Sequence, residues 1–171
     1  MFLNFEYNSL DYGRYSKKGE LFKTSVSYTK GLEINRPGST SVLNTDSINK
    51  FDHDWFTFKV KYEQYFSLGL DYKLGLELEG VHSTQGFFNN YTATALIAPQ
   101  YNPTQETKTL FISEHAAHSY LAAGLKNVFP IFNTIDLRVE GYVFQPYRNI
   151  LNNNRKAEYS SSFETTRRRY I

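Results

Sequence analysis

LGLDYKLGLELEGVH, residues 68–82, alternates two chemistries. Leu68, Leu70, Tyr72, Leu74, Leu76 and Leu78 share one parity, while Gly69, Asp71, Lys73, Gly75, Glu77 and Glu79 share the other. Successive side chains of a strand point to opposite faces, so this alternation predicts a strand lying between two different media; a helix would mix the two sets. A core on one side and water on the other makes a soluble sheet, and lipid on one side and a wet lumen on the other makes a barrel wall. Length favours the wall. Globular strands usually run about 5 to 6 residues, a tilted membrane-spanning strand needs about 9 to 11, and this pattern is of the longer kind. The segment before it, DWFTFKVKYEQYF (54–66), does the same, with Phe56, Phe58, Val60 and Tyr62 against Thr57, Lys59, Lys61 and Glu63. Phe56 and Phe66 bracket a band of roughly 25 Å at about 3.3 Å per residue and about 40° tilt, and Trp55 and Tyr65 add rings at the same two levels.

Ser67 to Gly69 fits a three-residue loop with Gly69 in the left-handed conformation, closing a bulge between Phe66 and Leu70. Opposed residue numbers then sum to about 136, a register that follows from that turn type. Lys59 would face Glu77 and Glu63 would face Lys73 on the polar side, with Val60 against Leu76 and Phe58 against Leu78 on the apolar side.

Composition is compatible with a membrane wall and excludes other classes. The 171 residues carry 19 basic and 17 acidic side chains, a balance that argues against nucleic acid as a partner. Aromatics reach 17% and suit a headgroup boundary, although soluble β proteins also use them. No cysteine is present, which removes disulfides and thiolate chemistry. Mean hydropathy is −0.52, as expected where half of every strand is polar. The opening MFLNFEYNSLDYGRY has neither the basic start nor the apolar run of a signal peptide, so an exported parent protein is expected to begin upstream.

The chain reads as six strands and a stub: 2–10, 19–30, the two quoted segments, 115–128 and 134–145, with the stub ending at Ile171. On the second strand, Phe22, Thr24, Val26 and Tyr28 fall on one face. Connections alternate, short near Tyr15, Leu68 and Ile131, long at 31–53, 83–114 and after Gln145, which is the rhythm of an outer-membrane barrel. Pro99 and Pro103 interrupt any strand in the second long connection. The expected fold is all-β: an antiparallel meander of long strands forming part of a transmembrane barrel over residues 1–171, truncated at both ends, since the smallest such barrels have about eight strands.

YNSLDYGRYSKKGELFKTSVSY (7–28) resembles a recurrent segment of BamA-type barrels, the bacterial surface antigen family, with Asn8, Leu10, Asp11 and Gly19 at the motif positions and Ser16 where the family usually has Pro. The loop order that follows is similar to the second half of that sixteen-stranded barrel. Members that insert or export proteins carry Val-Arg-Gly-Phe in their longest loop, and the stretch 87–111 has no Arg. That stretch, HSYLAAGLKNVF and LRVEGYVFQPY look more like the barrel following a patatin-like phospholipase domain. The resemblance implies a segment in the bacterial outer membrane that anchors or translocates an upstream hydrolase, with lipid and the missing strands as partners. Its Gly-x-Ser-x-Gly nucleophile lies outside this chain. The alternatives are a barrel for outer-membrane protein insertion or export, and a soluble ligand-binding β-barrel or sandwich.

Other constellations carry little chemistry. Asp52, His53 and Asp54 point to alternate faces of a strand and do not converge on a metal without a special turn, so a polar loop end is preferred. His115 and His118 lack a nucleophile and an orienting acid and read as structural or solvated histidines. Arg167 to Arg169 read as a solvated tail or the start of a strand. Glycines 69, 75, 80, 124 and 141 fit no phosphate fingerprint and sit where glycine eases a bend or bulge. No catalytic residue, cofactor or metal ligand is assigned. The charged face of the central hairpin is equally consistent with a transport path and with a paired wall that conducts nothing.

Overall fold

The computed structural model describes residues 1–11, 15–35, 49–69, 72–104, 106–132 and 135–160. Six strands, β1 (Phe2–Asn8), β2 (Glu20–Asn35), β3 (Asn49–Ser67), β4 (Lys73–Ser83), β5 (Ser119–Phe132) and β6 (Ile135–Pro146), form one antiparallel sheet in chain order. The expected all-β meander of long strands is what the chain forms. Strands β2 and β3 run 16 and 19 residues and reach into the stretch 31–53, where the sequence composition predicts a long loop. The expected stub and Arg167 to Arg169 lie outside the described residues, as do Leu70 and Asp71.

Two elements stand where only loop was expected. Helix α1 (Tyr91–Ile97) is capped by Asn90, whose side chain accepts from Ala93 N at 2.7 Å. A small hairpin, β7 (Ile150–Asn153) and β8 (Lys156–Tyr159), packs Ile150 and Ala157 with Ala98, Ala116, Phe87 and Tyr91. Together they cover the long-connection end of the sheet.

At the opposite end the motif residues build the first turn. Asn8 Oδ1 accepts from Leu10 N at 3.0 Å, and Asp11 Oδ1 accepts from Lys17 N at 2.9 Å and Lys18 N at 3.2 Å. Gly19 has φ +90°, and a Cβ there would lie 2.1 Å from Ser9 O, so no other residue fits. The turn reaches across the sheet: Ser16 O accepts from Arg138 Nη1 of β6 at 3.0 Å, and Lys17 pairs with Asp136. The sheet is therefore curled, with a concave face that these contacts close at the short-turn end.

The register of the central hairpin differs from expectation. Ser67 opposes Lys73 and Thr57 opposes Ser83, so opposed numbers sum to 140. A five-residue connection, 68–72, replaces the three-residue loop and the bulge at Phe66 and Leu70. Gly69 does adopt a positive φ, +84°. Glu63 now faces Glu77 rather than Lys73, Lys59 faces Val81, Val60 faces Gly80 and Phe58 faces His82. Even sums keep the faces, so the expected sidedness holds while the pairing moves by four residues.

Tyrosine on glycine is one reason. In the observed register Tyr65 opposes Gly75, and a Cβ at Gly75 would lie 2.6 Å from the Tyr65 ring. The same device recurs between β5 and β6, where Tyr142 opposes Gly124 with a 2.7 Å clearance to a would-be Cβ. In both cases the seated tyrosine donates to a glutamate two residues earlier, Glu63 at 2.7 Å and Glu140 respectively. Gly124→Val should cost about 1–3 kcal/mol by overpacking, read as a lower denaturant midpoint of the full-length protein. Gly141→Val, where a Cβ meets nothing within 4 Å, should stay within about 0.5 kcal/mol. Equal shifts for the two variants would reject the seating.

Candidate functional site

The two faces of the sheet invert the usual distribution of side chains. Glu63, Glu77, Glu79 and Lys126 are buried on the concave face, while Phe56, Phe58, Leu78, Leu121, Leu125 and Val139 are exposed on the outer one. Buried charges persist where they are paired and hydrogen-bonded; all four are paired, and Glu63, Glu79 and Lys126 are also hydrogen-bonded. Lys126 Nζ lies 2.7 Å from Glu63 and 2.5 Å from Glu77, and so holds together two carboxylates that face each other on the β3–β4 ladder. Lys61 Nζ lies 3.0 Å from Glu77, and Lys59 Nζ 2.7 Å from Glu79. The contacts of Glu77 are charge contacts rather than aligned hydrogen bonds. Tyr120 donates to Glu79 at 2.6 Å, Arg138 pairs with Glu140 and donates to Tyr65 Oη at 3.0 Å, and Lys23 pairs with Glu6 at 2.8 Å. One belt of alternating charge thus crosses every strand of the sheet.

Segment 98–104 lies over this belt. Pro99 O accepts from Ala117 N at 3.1 Å and Tyr101 N donates to His115 O at 3.0 Å, which ties the segment to the start of β5. The Tyr101 ring is 1% exposed and stacks on Phe144 at 5.9 Å, with Tyr120 at 6.2 Å. Between segment, turn and sheet remains a cavity of about 380 Å³, lined by Lys23, Lys59, Lys61, Asn102 and Lys108 among others.

Lys59, Glu63, Glu77 and Lys73 lie on one parity as expected, but the partners differ: Lys59 pairs with Glu79, Glu63 and Glu77 with Lys126, and Lys73 donates to Ser67 Oγ at 3.1 Å. Lys126 and Arg138 were missed. Their signal was parity within 119–132 and 135–146, which puts Lys126 and Glu140 directly opposite each other. Trp55 and Tyr65 are buried, on the concave side of the Phe56 and Phe66 levels. Asp52 and Asp54 share the parity of the outer face, whereas His53 pairs with Glu33 at 2.9 Å, so the three do not converge. Glu33 also accepts from Asn89 N at 2.9 Å, and the His53 ring lies 4.4 Å from Phe88, which fastens the covering segment to β2 and β3. Among the described residues no group of three or more metal-ligating side chains occurs, and no helix is long and apolar enough to cross a membrane.

No protein-family model, curated protein or solved structure matches the chain.

Two consequences are measurable. Lys126→Met leaves Glu63 and Glu77 confronting each other with only Lys61 nearby, and should cost about 3–5 kcal/mol in unfolding of the full-length protein. Adding Glu63→Gln should recover part of that loss, and no recovery would show that Lys126 acts by packing alone.

His118, fully buried beside Tyr159 Oη at 2.8 Å, is held down to about 4 by burial, with the nearby Arg148 guanidinium adding to the effect. A histidine neutral when folded binds protons more readily when unfolded, so stability falls as pH drops from about 6.5 towards 4. Protection factors of the β7–β8 amides, taken against intrinsic exchange at each pH, should fall over that window by up to about 2–3 kcal/mol of local opening energy, and His118→Gln should flatten the dependence.

Proposed function

We propose that the chain is wall from a bacterial outer-membrane β-barrel, sealed rather than open, that anchors an upstream hydrolase domain of the patatin-like phospholipase kind. The observation that carries the membrane part is the course of the apolar band. On β3 the outer face turns from charge, at Lys50, Asp52 and Asp54, to apolar at Phe56, while on β2 Lys30 interrupts an outer face that carries exposed Leu32 and Ile34 beyond it. On β6 it turns between Gln145 and Val143, and Val143 connects through Ala123 and Leu78 to the row of Tyr62, six residues further along β3 than Phe56. Six residues are about 20 Å along the strand, and the three inter-strand spacings from β3 to β6 about 14 Å, so the edge climbs the ladder at roughly 55°. Strands of outer-membrane barrels tilt by about 35–45°, and a band perpendicular to the barrel axis crosses the ladder at that slope, about 10° short of the one found here. A sheet in water has no reason to draw such a line.

The two amide side chains inside the band have hydrogen-bond partners, as lipid requires. Gln64 accepts from Tyr62 Oη at 2.6 Å and Asn127 from Tyr72 Oη at 2.5 Å. Rings gather at both levels, Tyr28 with Phe56 at 4.8 Å and Tyr72 with Phe129 at 4.9 Å, as at headgroup boundaries. The sealed reading is supported by the paired belt and by the Tyr101 segment lying over it. The hydrolase and its lipid substrate rest on the sequence resemblance. Among the described residues the outer edges of β1 and β6 have no strand beside them, and lipid satisfies no ladder group, so this reading requires further strands there.

In the full-length protein reconstituted in bilayers, quenchers carried on lipid tails should reach single-cysteine labels at Val60, Leu125 and Val139. Labels at Thr57 and Lys59 should stay bright. A reversed pattern, or uniform brightness, would remove the membrane reading.

A further inference from the structure

On the β2–β3 ladder Lys23 stands directly opposite Lys61. Like charges in that position oppose pairing, and the two side chains part, Lys23 towards Glu6 on β1 and Lys61 towards Glu77 on β4. Lys59 leans to Glu79 on β4. The carboxylates on β3 and β4 lie beneath the lysines: the side chains of Glu77, Glu79 and Glu63 are 1%, 4% and 10% exposed, against 45%, 39% and 21% for Lys23, Lys59 and Lys61. Their oxygens are further spent on Lys126 and on the Tyr65 and Tyr120 hydroxyls. An ammonium has three N–H donors, and each of these three lysines makes one carboxylate contact among the described residues. Solvent in the cavity therefore meets these N–H donors in front, with Glu6, 37% exposed, and Glu140, 19% exposed, as the carboxylates still within its reach. Lys108 lines the same space from the covering segment.

We infer that this cavity is a binding site for a phosphate-bearing anion, held between Lys23, Lys59 and Lys61. Ammonium donors to phosphate oxygens are charge-assisted and need no bidentate fork. The volume of about 380 Å³ holds a phosphate group together with a small substituent or several waters. Glu6, the most exposed carboxylate of the cavity's ion pairs, competes with the ligand for Lys23. The site needs only the concave face and stands or falls independently of what solvates the outer one.

Inorganic phosphate and a short-chain phosphatidic acid below its micelle concentration are titrated in parallel into the full-length protein in non-ionic detergent, at constant ionic strength made up with chloride. Binding is followed by ³¹P line broadening and calorimetry. Saturable binding of both, or of inorganic phosphate alone, identifies a site for free phosphate compounds; binding of the phosphatidic acid alone identifies a headgroup site. Lys23→Gln should weaken binding about tenfold, the loss of one charge-assisted contact. Glu6→Gln should strengthen it several-fold, which a lysine serving only its ion pair would not produce. Absence of saturation with both probes, an equal response to chloride, or identical affinities across the two variants overturns the site.

Discussion

Two carboxylates, Glu63 and Glu77, face each other across the β3–β4 ladder, and one ammonium, Lys126 of the next strand, bridges them. The arrangement is tenable only as a unit of three strands. Without β5 the Glu63–Glu77 opposition of the central hairpin would be offset by Lys61 alone, and in the register summing to about 136 both pairs would have been satisfied within the hairpin. The price of the observed register is thus met by a strand about fifty residues away in sequence, and what it secures is the seating of Tyr65 on Gly75. Once Tyr65 is seated, its hydroxyl receives Arg138, and Arg138 in turn holds the first turn through Ser16. Charge compensation, tyrosine packing and closure of the short-turn end form one connected set of contacts.

Placing the charges on the concave face leaves the outer face with nothing to bury. Phe58, Leu78, Leu125 and Val139 remain exposed, and the segment that covers the sheet lies on the polar side. Hydrophobic cohesion inside the chain is correspondingly small, confined to clusters around Tyr101 and Tyr120 and beneath the β7–β8 hairpin. Ladder hydrogen bonds and ion pairs carry the architecture.

Sidedness was legible in the sequence because a strand has a period of two residues, and every even-numbered pairing sum preserves it. Phe22, Val26, Phe56 and Phe58 therefore fall on the outer face regardless of register. The motif turn was legible too, since Asn8, Asp11 and Gly19 act on neighbours within a few residues. Register was not. It is a competition among nearly equal pairings, and weighing only two strands left out Lys126, which decides how much a Glu63–Glu77 opposition costs. The cap was not legible either: α1 has 7 residues and β7 and β8 have 4 each, too short for periodicity to rise above chance, and their stability comes from Phe87, Ala98 and Ala116 beneath them. On the concave face, parity located the charged residues but not their depth. That depth places Glu77 and Glu79 behind Lys61 and Lys59.

The Glu-x-Tyr element facing glycine occurs twice, at Glu63 and Tyr65 against Gly75 and at Glu140 and Tyr142 against Gly124, on strands separated by two others. In each, the ring lies flat over the neighbouring strand, where a side chain would otherwise stand, and the hydroxyl returns to its own strand's carboxylate. Such a ring ties adjacent strands laterally without adding height, and it lowers the wall locally, so that the curled sheet accepts Tyr101 and its segment above Tyr142. A larger residue at Gly124 would raise the floor under Tyr101 as well as displace Tyr142, because the two rings lie 6.4 Å apart. Glycine at these positions thus sets both the lateral stiffness of the wall and the space left for the covering segment.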